Sequence, residues 1–136
     1  MSAPAEAGAG GGSAGRAEEF RKRRERQNEC VHRLGTQVTK RFFNLDGQAY
    51  KAGAIDEKHK ELMGLVASAV LRCDDCISYH VLRGVEVGAS REQIVEALDI
   101  ALIVGGSIVI PHLRRAYELL DEVCGPGASD QGDTTP

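Results

Sequence analysis

The chain contains no tryptophan and few other aromatics, three Phe and three Tyr among 136 residues. That scarcity bears on the basic run Arg21-Lys22-Arg23-Arg24-Glu25-Arg26, because single-stranded nucleic acid is gripped by aromatic stacking as much as by cations. The run is interleaved with Glu18, Glu19, Glu25 and Glu29. It therefore reads as a solvated helix face with i,i+4 ion pairs, and no nucleic-acid partner is expected. No apolar stretch approaches the ~20 residues of a membrane span. The N-terminus also lacks the apolar core of a secretory signal, so no membrane partner and a cytoplasmic location are expected. A second cysteine pair, the usual mark of structural zinc, is missing. Only one β-branched cluster occurs, Ile108-Val109-Ile110, too short and too closely flanked by Gly and Pro to seed a sheet. The formal net charge of −3 singles out no class of partner.

What is present is helical patterning. Met1 to Gly15 is largely Ala, Gly, Pro and Ser without apolar periodicity, and residues 125–136 open on Gly125-Pro126-Gly127. Both ends are expected to be disordered tails around one domain spanning 16–124. A first helix is expected from about Ala17 to Leu34, packing along a narrow seam of Phe20, Cys30, Val31 and Leu34. A second, shorter piece lies in Thr36–Tyr50, with Asp46-Gly47 as a candidate turn. Asp56 suits the N-cap of a helix from Glu57 to about Leu71, whose small residues Gly64, Ala67 and Ser68 mark it as central. Asp74 or Asp75 could cap the next helix, which runs to about Val87 and stops at Gly88. Ser90-Arg91-Glu92-Gln93 is a capping-box pattern. The helix it opens is apolar on nearly all sides to Val104, which implies burial all round. Gly105-Gly106 reads as close backbone packing, not as a phosphate loop, and Pro111 as the first turn of a last helix ending near Val123. The expected fold is an all-α bundle of about five to six helices. Its surplus apolar surface implies homo-oligomerisation.

The chemistry concentrates in Cys73-Asp74-Asp75-Cys76-Ile77-Ser78-Tyr79-His80. Neighbours at i+3 and i+4 share a helix face, so Cys73, Cys76 and His80 form one stripe. In a reducing compartment such a dithiol means catalysis or metal, not a structural bridge. A free thiol with a pKa of about 8.5 is only ~3% thiolate at pH 7. A two-unit drop raises that fraction to about three-quarters, but nucleophilicity falls with basicity, leaving a net gain of roughly threefold. A positioned proton donor, worth roughly 10²–10⁴, has to supply the rest. Glu61 is the candidate: at 1.5 Å per residue it lies ~15 Å before the turn, near the height of His80 on the antiparallel neighbour. A metal reading would instead recruit Cys73, Cys76, His80 and Glu61 together.

Glu61, a twelve-residue interval to Cys73, then Cys-x-x-Cys-x-x-x-His resembles the active-site pattern of alkyl hydroperoxidase D-like proteins of the carboxymuconolactone decarboxylase superfamily. The resemblance runs from about Gly53 to Leu120 and includes Gly88-Ala89-Ser90 and Gly105-Gly106. It implies a helical subunit that assembles into trimers or hexamers, and a cofactor-free, thiol-dependent peroxidase or disulfide reductase acting on hydroperoxides or disulfides with an unspecified thiol reductant. By the same resemblance Cys76 attacks, Cys73 resolves, and Glu61 and His80 relay the proton. Better-studied members carry a His just before the second cysteine; here Asp75 stands there, and a carboxylate opposes thiolate formation. The decarboxylase branch generally does not keep both cysteines, which disfavours a lyase reaction. Arg16–Tyr50 matches less well. Tyr79 is expected to be a packing residue and Ser78 a surface hydroxyl. Cys30 and Cys124 are expected to be bystanders, and His32, His59 and His112 isolated surface or structural residues.

Overall fold

The computed structural model describes residues 15–125. The expected tails fall outside them, except that Gly15 opens the first helix and Gly125 follows the last. Six α-helices and no strand occur among the described residues: α1 Gly15–Leu34, α2 Gln37–Tyr50, α3 Glu57–Val70, α4 Asp74–Glu86, α5 Arg91–Gly105 and α6 Ile110–Cys124. The β-branched cluster lies in a single 3-10 turn, Ser107–Val109, and the first residue of α6, with Pro111 in that helix's first turn.

Helix α3 is the middle rod and packs most extensively against α4 and α5, while α4 also packs on α6. Its start is fixed by Asp56, whose carboxylate accepts the His59 N–H at 2.7 Å. Leu65 and Ala69 of α3, Val81 of α4, and Ile94, Leu98 and Ala101 of α5 are fully enclosed. Each of the Leu, Val and Ile side chains contributes about 1.5–3 kcal/mol on burial. Glycine at 105 is required by close approach, since a Cβ there would stand 2.5 Å from the Val109 side chain.

The ends of α3 and α4 are set by backbone bonding. The N–H of Cys73 reaches the carbonyl of Ser68 at 3.1 Å and that of Arg72 reaches Ala69 at 3.0 Å, the paired bonds of a Schellman closure. The residue at the left-handed position is Arg72, with φ of 60°, not a glycine. The next residue, Cys73, is itself the N-cap of α4: its sulfur accepts the Cys76 N–H at 3.4 Å. This corrects the expectation of an aspartate cap; Asp74 and Asp75 sit in the first turn, where their charge still favours the helix dipole. Helix α4 closes the same way, through Gly88 at φ 94°. At α5 the capping box is complete, Ser90 and Gln93 bonding each other's backbone at 3.1 and 3.0 Å.

Three expectations are corrected. Helix α2 runs unbroken through Asp46-Gly47 to Tyr50, the glycine costing only about 1 kcal/mol in helical propensity. Beyond it, the Lys60 ammonium binds the carbonyls of Ala49 and Lys51 at 2.8 and 2.7 Å and ties the end of α2 to α3. On α1, burial is confined to Ala17 and Phe20, while Leu34 stays 74% exposed, because the helix meets the bundle at its N-terminal end. Helix α5 is not buried all round: Ile100, Ile103 and Val104 are 57, 83 and 67% exposed. With Val38, Phe42 and Leu45 of α2 they leave two apolar stripes open on the single chain.

Candidate active site

Two turns decide the geometry of the stripe. The Schellman closure of α3 delivers Cys73 to the start of α4, and the helical repeat then places Cys76 and His80 on the same face. Cys73 and Cys76 are bonded as a disulfide, their Cα atoms 5.3 Å apart. Cys76 is exposed and Cys73 half-buried, whereas His80 is buried. The site is thus open at Cys76, with the imidazole mostly covered at the base of the stripe.

His80 Nδ1 lies 2.7 Å from Glu61 Oε2, and the side chains are only 9% and 2% exposed. A buried carboxylate needs a partner, and here Nδ1–H donates to Glu61. Lys60 does not compete for that charge, since its ammonium is engaged by the two carbonyls at the end of α2. Glu61 is therefore not a solvent-facing helix glutamate; the antiparallel packing of α3 and α4 brings it to His80. On the far side of the ring, Tyr50 Oη lies 3.4 Å from Nε2. Burial first, then the negative charges of Glu61 and Asp46, push the Tyr50 phenol above its ordinary range. Sequence reasoning passed over Tyr50; its only signal is its place at the end of a helix without other chemistry.

A cleft of about 670 Å³ between α1 and α4 opens onto Cys76 and His80 and is walled by Phe20, Arg24, Val31 and Tyr79. Residues 36–119 match the carboxymuconolactone decarboxylase family model. The chain belongs to the carboxymuconolactone decarboxylase family. The match begins before α2, earlier than the residue-by-residue resemblance from Gly53. The chain is 31% identical over 93 residues to the "uncharacterized protein 4 in cox locus" of Paracoccus denitrificans, covering 68% of this chain and 84% of that one. A Thermotoga maritima crystal structure, of a carboxymuconolactone decarboxylase family protein for which a part in an antioxidative response has been suggested, is 63% identical. It superposes with a TM-score of 0.75 over 78% of this chain and 90% of that one. A family member from Legionella pneumophila, 27% identical, gives 0.71 over 78% and 95%.

In this carboxymuconolactone decarboxylase family member the basic run does more than face solvent. Lys22 makes the expected i,i+4 pair with Glu18 at 2.9 Å. Arg21 and Arg23, however, reach across to Glu86 and Asp75 of α4 at 3.3 and 3.6 Å. Arg24 lies over the Tyr79 ring at 4.3 Å. Tyr79 packs, as expected, edge-on to His80 at 5.1 Å between ring centres. Asp75 is an exposed side chain facing Arg23, so its charge is partly balanced.

Two of the "isolated" histidines are paired. His59 meets Asp56, and His112 meets Asp74, each at 2.7 Å, while His32 lies against Phe43 with ring centres 4.9 Å apart. Arg115 adds a second cation to Asp74 at 3.0 Å. Burial raises the Asp74 carboxyl, but the hydrogen bonds of His112 and Arg115 outweigh it and hold Asp74 below the ordinary carboxylate range. Cys30 is a free thiol on the wall of the cleft that opens onto Cys76. Cys124 is free and exposed. Among the described residues no three His, Cys, Asp or Glu side chains converge as ligands for a metal ion, and no helix is long and apolar enough to cross a membrane.

Proposed function

We propose that this chain is a cofactor-free, thiol-dependent peroxidase or disulfide reductase that cycles through Cys73 and Cys76. The observation that carries the reading is the accessible Cys73–Cys76 bond at the start of α4, one turn before a buried imidazole paired with a carboxylate. In the peroxide reaction the Cys76 thiolate attacks one peroxide oxygen and the O–O bond breaks. That oxygen stays on sulfur as a sulfenic acid, and the other leaves as alcohol with a proton supplied through His80. Glu61 balances the imidazolium charge. The Cys73 sulfur then displaces the hydroxyl from Cys76, giving the disulfide and water. Two electrons from an external thiol reductant restore the dithiol, which suits a cytoplasmic setting.

The Thermotoga relative's suggested antioxidative role supports this direction of chemistry. The open stripes on α2 and α5 support self-association, as trimer or hexamer, to cover them. The deciding experiment is mass spectrometry of reduced protein after mild hydroperoxide. A Cys73–Cys76 bridge is expected, with turnover lost in Cys76→Ser. Full thiol-dependent peroxide turnover by Cys76→Ser would overturn the reading.

A further inference from the structure

His80 has two ring nitrogens; Glu61 holds Nδ1, so the proton relay proposed above runs through Nε2. Nδ1–H is committed to Glu61 at 2.7 Å. In the neutral ring Nε2 therefore presents a lone pair, and the hydroxyl it faces is that of Tyr50, at 3.4 Å. The separation is long for an O–H···N bond, but the surroundings are built around it. Gly64, on the middle helix, is the residue beneath both groups. A Cβ at position 64 would overlap the Tyr50 hydroxyl and stand 2.7 and 2.8 Å from Cε1 and Nε2 of His80. Glycine inside a helix costs about 1 kcal/mol relative to alanine, and the room it leaves is where phenol and imidazole meet. A second feature holds the phenol from behind. Lys60 binds the carbonyls of the residues on either side of Tyr50, Ala49 and Lys51. Tyr50 is thus pinned through its own backbone to the helix that carries Glu61. Burial and the charges of Glu61 and Asp46 keep the phenol protonated, and so a donor.

We infer that Tyr50 is a positioning residue for His80, its hydroxyl fixing the imidazole in the Nδ1–H tautomer with Nε2 aligned along the face shared with Cys76. The inference rests on the thiol-peroxidase reading for its kinetic consequence, but not for the contact itself. Glu61 and Tyr50 brace the ring on both sides, and the phenol hydroxyl can turn from donor to acceptor when Nε2 takes up a proton, so the ring keeps its orientation through the transfer.

The test uses the full-length, nitrogen-15-labelled chain, Tyr50→Phe, and Gly64→Ala, which keeps the phenol but fills its place. Long-range proton–nitrogen spectra report the His80 tautomer, and stopped-flow mixing of reduced protein with tert-butyl hydroperoxide reports disulfide formation. Both variants are expected to shift the Nε2 resonance of His80 and to slow disulfide formation roughly three- to tenfold, the effect of one hydrogen bond. An unchanged Nε2 resonance in Tyr50→Phe, whatever Gly64→Ala shows, or a shifted resonance with a wild-type rate, would overturn the proposal. If the wild-type chain forms no disulfide with peroxide, the peroxidase reading falls separately, and the nitrogen shifts alone decide whether Tyr50 sets the tautomer.

Discussion

Glu61 and His80 are 19 residues apart in the chain and 2.7 Å apart in the core. The pair is enclosed, while Cys76 is exposed on the cleft and Cys73 is half-buried beside it. A charge-balanced proton carrier in a low-dielectric setting beside an accessible dithiol is what the proposed chemistry requires.

Glu61→Gln separates the structural role of this pair from its chemical role. The amide oxygen can still accept Nδ1–H, so stability should fall by no more than about 1 kcal/mol. It cannot balance an imidazolium, so disulfide formation under hydroperoxide should slow by roughly 10²-fold or more. Thermal melts and stopped-flow rates on one preparation check both. A large loss of stability with an unchanged rate would assign Glu61 to folding alone.

The two motif cysteines should behave differently. Cys73→Ser should stop at a Cys76 sulfenic acid that a diketone reagent traps, and Cys76→Ser should give no such adduct. Because the bond closes a loop of four residues, reduction should lower stability by at most about 2 kcal/mol. Adduct mapping by mass spectrometry is the measurement; adducts on Cys73 in the Cys76→Ser chain would reverse the assignment.

Asp74 carries a pH dependence with a defined sign. Its carboxyl is held below the ordinary range by His112 and Arg115. The contribution is therefore present above the unfolded-state value of about 3.9 and disappears as pH falls through the lower folded-state value. The side chain is 46% exposed, so solvent screening limits the effect to under ~1 kcal/mol. Asp74→Asn should melt slightly earlier at pH 7, and the gap should close as pH falls through the lowered folded-state value. A gap that widens on acidification would contradict the assignment.

Arg72 closes α3 with φ of 60°, a conformation that costs an L-residue about 1–2 kcal/mol. Glycine relieves that strain but adds freedom to the unfolded chain. Arg72→Gly should raise stability by up to about 1 kcal/mol in denaturant titration, leaving the Cys73 cap in place. Destabilisation would show that the arginine side chain contributes more than its backbone costs.

The open stripe of α5 provides the test of assembly. Ile103, 83% exposed on the single chain, should be covered in an oligomer, and Ile103→Glu should shift sedimentation toward the single-chain mass. If wild type already sediments as a single chain, the stripe has another purpose.

Much of this was legible in the sequence because it depends on near neighbours. The Asp56 and Ser90 caps, the stop at Gly88, Pro111 in the first turn of α6 and the shared face of Cys73, Cys76 and His80 are all set by residues within one or two turns. The helix dipole and the period of 3.6 act locally. Asp46-Gly47 misled, because the bonds of Lys60 that hold the end of α2 come from a helix further along the chain. The Cys73 cap was hidden because sulfur is a weak acceptor and aspartates stood next to it.

Tertiary structure decided what needed two helices at once: which face of α3 meets α4, and so that Glu61 is enclosed against His80 and not in water. It also chose Tyr50 for the second ring nitrogen and set the arginines of α1 over α4. The sequence by itself determined the helices and the spacing of the reactive atoms along them. Only packing, in which one missing Cβ at Gly64 makes room for a phenol and an imidazole, determined which of those atoms touch.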